Sequence, residues 1–189
     1  MKLLALVLTL FSTAAFATNW QLDSTASSLH FVTVKNEVVA ETHHFSALSG
    51  QWDGAKVSIN IAVNSMQTNI PIRNERIWQY VLRAEQFANI NVEASLGEDA
   101  ITALTVGDYM VLQLPITLTI AGESATLEAK LRISKLTADT LQASNETPLM
   151  LNTNSFKLTA GVAKLQELAG LNSIESMVPV SFHVQFTRQ

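Results

Sequence analysis

The sequence predicts an all-β chain with short helices, folded as one antiparallel barrel or sandwich. Three observations carry this reading. Apolar and polar side chains alternate with period two in segment after segment, helical spacing is confined to two stretches, and no second compositional block, repeat or linker divides the chain. A barrel removes exposed sheet edges and has room for an elongated apolar ligand, but alternation reads the same for a hollow interior and a filled one.

The opening residues stand apart from that pattern. Lys2 lies beside the amino terminus, an apolar run follows from Leu3 to Phe11, and small residues end in Ala15-Phe16-Ala17. This order reads as a cleavable secretory signal over residues 1–17. The apolar run falls short of the roughly 20 residues that cross a bilayer, so no transmembrane span is expected after cleavage. No Cys stands at the boundary to accept a lipid. Residues 18–189 are then one exported domain, periplasmic or otherwise secreted, and large enough to bury a real core.

The strands follow in order. Leu29 and Phe31, with Val34 less regularly placed, mark the first, after a lead-in from Trp20 to Ser28. Val57, Ile59, Ile61 and Val63 put four branched side chains on one face. From Arg73 to Gln86 the period changes: Ile77, Val81 and Leu82 fall on helical spacing behind Pro71, which predicts a helix or two short helical pieces covering an end or seam of the sheet. Ile90, Val92, Ala94 and Leu96 resume the alternation. Leu112, Leu114, Ile116, Leu118 and Ile120 share one face, and Ala121-Gly122-Glu123 turns the chain into Leu127, Ala129, Leu131 and Ile133, a hairpin. Pro115 has no N–H to give a ladder and belongs at an edge or a bulge. A short strand near Thr140–Ala143 precedes a stretch whose Asn145, Pro148, Asn152 and Asn154 suggest turns. Val162, Leu165, Leu168 and Ala169 form a short amphipathic helix between Gly161 and Gly170. Val180, Phe182, Val184 and Phe186 alternate in a closing strand.

Composition narrows the chemistry. There are 12 Lys and Arg against 16 Asp and Glu, a net charge of −4, and loss of Lys2 leaves 11 against 16. No concentrated basic face speaks for nucleic acid. The absence of Cys excludes disulfides, thiolate metal sites and cysteine nucleophiles. Of the four histidines, adjacent His43 and His44 point to opposite sides if their segment is a strand, and His30 and His183 sit in strand patterns without a metal-ligand spacing. No metal site is expected. No nucleophile elbow, phosphate loop or dinucleotide turn is present, and the acids are scattered. No catalytic residue is assigned.

Arg73 and Arg76 are three residues apart near the start of the proposed helix, where two guanidinium forks could meet an anionic or carbonyl-bearing head group. Pairing with Glu75 or Glu85 is their plainer use. Trp52, Trp78, Tyr80 and the phenylalanines pack a core in either case, and in a hollow barrel they would also form the wall of an apolar pocket.

Short motifs in a fixed order resemble the YceI-like family. They are Ser28-Leu29-His30-Phe31, Phe45 with Ser49-Gly50, Asn64-Ser65-Met66-Gln67-Thr68-Asn69 leading to Arg73-Asn74-Glu75-Arg76-Ile77, and Glu85-Gln86-Phe87. Further along come Leu118-Thr119-Ile120-Ala121-Gly122, Ser155-Phe156-Lys157-Leu158 and Val178-Pro179-Val180-Ser181-Phe182. The resemblance spans residues 20–187. It implies a single lipocalin-like antiparallel barrel over 18–189 that binds a long isoprenoid or quinone-like lipid, requires no other cofactor, and has a homodimer as one assembly. It further implies contacts to the lipid chain from Phe31, Phe45 and Phe87, and a polar opening formed by Arg73 and Asn74 with help from Thr68. Arg76 stands where a His is common in the family, and Glu123-Ser124-Ala125 replaces a more basic or proline-containing turn.

Noncatalytic capture of a hydrophobic lipid is therefore the leading expectation. A structural or protein-interaction module with a filled barrel is the alternative, and an enzyme acting on an exported small molecule is a further one. A continuous internal space would count against the filled barrel.

Overall fold

A computed structural model describes residues 19–189; the proposed signal over 1–17 lies outside the described residues. The first strand, β1, runs from Trp20 to Lys35, and β2 (Val39–Phe45) and β3 (Leu48–Trp52) return along it. The Trp20–Ser28 lead-in is thus already strand. It was hidden from the alternation by an irregularity between Asp23 and Ser28, where Asp23 accepts from the Thr25 and Ala26 N–H groups and turns the chain locally. Next come β4 (Lys56–Ala62), the two-residue β5 (Met66–Gln67), and a helix α1 (Pro71–Arg76) that runs directly into a π-helical segment, Ile77–Leu82. Pro71 opens α1, where its missing N–H costs nothing, and Arg83 ends the segment in the left-handed conformation.

The second half contributes β6 (Asn89–Ser95), β7 (Tyr109–Ile120), β8 (Glu123–Thr137), β9 (Thr140–Asn145), β10 (Leu149–Asn152), α2 (Thr159–Ala169) and β11 (Met177–Arg188). Ala121 and Gly122 both have positive φ between β7 and β8, as the two-residue hairpin turn requires. Pro115 pairs with Glu128 of β8, while the ladder to β6 stops at Ile116, so on that side β7 is an edge where the proline sits.

Strand pairing closes on itself. Following the hydrogen bonds from β1 through β3, β4, β6, β7, β8, β9 and β11 returns to β1, an eight-stranded antiparallel barrel. Beyond this ring, β2 extends along β1, β5 along β2 and β10 along β11. The β10 segment was expected as turns; Leu149 and Leu151 are buried on one side of it and pair across to Val180 and Val178.

The two ends of the barrel differ. At one, Trp20 and Trp52 pack together, and Ile101 and Leu104, from the segment between β6 and β7, are buried in the same core. At the other, α2 lies against the Ile77–Leu82 segment so closely that a β-carbon on Gly161 would come within 2.2 Å of the Tyr80 carbonyl oxygen. The β1–β2 hairpin overhangs this end, where Glu175 donates its N–H to the Val34 carbonyl and Asn36 to the Ser173 carbonyl.

Candidate functional site

Inside the barrel, the side chains predicted to share faces do so. Ile116, Leu118 and Ile120 of β7, Leu131 and Ile133 of β8, and Val184 and Phe186 of β11 all point inward. They do not meet across the middle. A continuous cavity runs from Trp52 and Ile101 at the closed end to Ile77, Val162 and Leu165 at the helical end. Its volume is about 290 Å³. This open interior counts against the filled barrel.

The wall is almost wholly apolar. Among the described lining residues only Thr33, Gln142, Thr153 and Glu175 are polar. Of the predicted chain-contacting residues, Phe31 and Phe45 line the cavity, with ring centroids 5.5 Å apart. Phe87 lies elsewhere. Its ring packs where a side chain on Gly122 would stand, under the Arg83 guanidinium at 4.8 Å, and Arg83 donates to the Ala121 carbonyl.

The residues expected at a polar opening are brought together, behind the wall rather than on it. Asn74 and Thr68 are buried, and Asn74 Oδ1 accepts from the Thr68 N–H at 3.0 Å and from its hydroxyl at 2.6 Å. Arg73 donates to the Thr68 carbonyl oxygen and, at 2.8 Å, to Glu41. Together these bonds fasten α1 to β2 and β5. Arg76 turns toward α2 and reaches the Leu168 carbonyl at 3.4 Å. None of the four lines the cavity.

Sequence reading missed a polar group that does reach it. Thr33, Phe31 and Leu29 have the same parity on β1, and all three line the cavity. Opposite them on β2 stand Glu41, His43 and Phe45. His43 is 4% exposed, and its Nε2 lies 2.9 Å from Thr33 Oγ1. Burial holds its pKa below the ordinary histidine value, and the Arg73 cation nearby acts in the same direction. His44 faces the other way and packs against His30 on the outer surface at 5.9 Å, as adjacent positions on a strand must. Glu41 binds Lys35 at 2.7 Å and Arg73 at 2.8 Å; the Lys35 bond and then the Arg73 charge keep its carboxyl below the usual glutamate value. The signal that could have found Thr33 was parity alone, because a threonine continuing Leu29 and Phe31 is a polar residue on a buried face.

Among the described residues no three of His, Cys, Asp and Glu are placed to hold a metal ion, and no helix is long and apolar enough to cross a membrane.

A closed antiparallel barrel of eight strands, capped by helices over an apolar interior, defines a lipocalin-like class of binding fold. Residues 20–186 match the YceI-like domain, and the chain belongs to that family. A polyisoprenoid binding domain from Saccharophagus degradans implicated in plant cell wall breakdown is 32% identical and superposes with a TM-score of 0.87, covering 90% of this chain and 98% of its own. BcnA of Burkholderia cenocepacia, 17% identical, has a TM-score of 0.66 over 87% of this chain and 98% of its own. The YCEI protein of Campylobacter jejuni, 14% identical, has a TM-score of 0.54 over 78% of this chain and 84% of its own. The last two share the fold alone. No curated protein matches the sequence.

Proposed function

We propose that this protein captures a long-chain isoprenoid or quinone-like lipid, without transforming it, in an exported compartment. The observation that carries the reading is the apolar cavity running between the two ends of a closed barrel. The 32% identical polyisoprenoid binding domain supports the ligand class, and the pattern of residues 1–17 supports export. Burying one five-carbon isoprene unit contributes about 4 kcal/mol at most, at ~0.8 kcal/mol per methylene-sized group. Two to four buried units, roughly, therefore offset the several kcal/mol that association costs. The tail supplies the affinity, and the head has only to be tolerated or oriented.

Native mass spectrometry of the mature chain, purified from the compartment to which it is exported and followed by organic extraction, tests this. A stoichiometric isoprenoid or quinone is expected. Ala143 on the cavity wall gives the control: Ala143→Trp fills the space its ligand would occupy and should abolish co-purification while the chain stays folded. An empty wild-type protein that also takes up none of a defined isoprenoid panel overturns the proposal.

A further inference from the structure

Resting on that reading, we infer that the Thr33 hydroxyl, held by His43, is a hydrogen-bond donor to an uncharged oxygen, a carbonyl or an ether, on the ligand's head group. His43 is a positioning residue here, because it acts through Thr33 and does not itself line the cavity.

The direction of the hydrogen bond follows from what His43 lacks. Its Nδ1 is buried and has no hydrogen-bond partner among the described residues, while Nε2 faces Thr33 Oγ1 at 2.9 Å. A neutral imidazole carries one proton, which must stand on one nitrogen or the other. Placing it on Nδ1 would strand a buried N–H, and placing it on Nε2 strands only a lone pair. Orphaned buried N–H groups are the rarer of the two. The proton therefore stands on Nε2, and His43 donates to Thr33. The low pKa that burial imposes is consistent with the neutral ring.

Thr33 then has an oxygen already accepting and an O–H left to give. The hydroxyl makes no other hydrogen bond among the described residues. Phe31 and Phe45 line the cavity beside it, so a ligand oxygen arriving there has been stripped of water and must find a donor. No Lys or Arg is among the described residues that line the cavity, so an anionic head would find no cation there. Lys35 and Arg73 share the one carboxylate of Glu41, and neither lines the cavity. A diphosphate would therefore be buried there without a cation on the wall.

The test measures competition by three probes for a fluorescent apolar dye bound to delipidated mature protein. The probes are a decyl-substituted benzoquinone, decylbenzene, and farnesyl diphosphate. Wild type should prefer the quinone over decylbenzene by about five- to tenfold, the range of one net hydrogen bond. Thr33→Val, of nearly the same shape, should bring the two to near parity without changing decylbenzene binding, and Thr33→Ser should keep the preference. His43→Leu should weaken the preference, and His43→Gln, whose amide also donates, should restore most of it. A quinone preference that survives in T33V overturns the inference, as does farnesyl diphosphate binding more tightly than the quinone. Wild-type protein that takes up none of the probes overturns the lipid-capture reading itself, and this inference with it.

Discussion

Trp20 lies against Trp52 with ring centroids 5.7 Å apart and planes tilted by 33°, and the two residues are also direct partners in the β1–β3 ladder. Trp20 pairs on its other side with Arg188 of β11, whose guanidinium lies 4.8 Å from the Trp20 ring centroid. One aromatic pair thus joins three strands where the barrel closes. Trp52 adds a hydrogen bond from its indole N–H to the Leu96 carbonyl at 2.8 Å.

Trp52→Ala should therefore lower stability by about 3–5 kcal/mol, the usual range for deleting a large buried aromatic. Urea denaturation of the mature chain reads this directly. A loss below about 1 kcal/mol would mean that the closed end repacks around the gap and is not held by this pair.

Gly161 sets how closely the helical cap sits on itself. An added β-carbon would come 2.2 Å from the Tyr80 carbonyl oxygen and 2.8 Å from the Val81 α-carbon, both backbone atoms that cannot swing aside. Alanine is the better helix former by about 1 kcal/mol, yet Gly161→Ala should destabilise by roughly 1–3 kcal/mol, because overpacking outweighs propensity. Unchanged or raised stability on denaturation would show that α2 moves away from the Ile77–Leu82 segment at no cost.

Acid should weaken the fold in two windows. His43 is held below its ordinary value of 6.5, so as pH falls through that value the unfolded chain takes up the proton first, and stability is lost until the folded ring also protonates. Glu41 is held below its ordinary 4.5, so the stability it contributes is present above that value and is lost as pH falls through its lower folded one. Thermal melts of wild type and His43→Gln between pH 7.5 and 5 isolate the first window. The wild-type melting temperature should fall more steeply with acid than that of H43Q. Parallel curves would contradict a neutral buried His43.

Part of the cavity wall could be read without coordinates. The shared face of Leu118 and Ile120 and the positive-φ turn at Ala121-Gly122 follow from local rules, since a strand's alternation and a hairpin's twist are set by neighbouring residues. Phe31 and Phe45 were placed by family resemblance and do line the interior. Thr68, Arg73 and Asn74 were expected at a polar opening, and the structure shows them bonded to one another, to Glu41 and to the backbone. Which partner a polar side chain finds depends on how α1 meets β2, and no local pattern encodes that meeting.

The sequence by itself determined the strands that alternate, the faces they bury and the two places where helices interrupt them, because each depends on residues near one another in the chain. Only the tertiary structure decided that β11 returns to β1, that the interior is open, and that His43 stands behind Thr33 at its wall. Closure and vacancy depend on the strands that meet and on how far their side chains reach across the middle. Alternation, identical for a sandwich, a filled barrel and a hollow one, carries no measure of that distance.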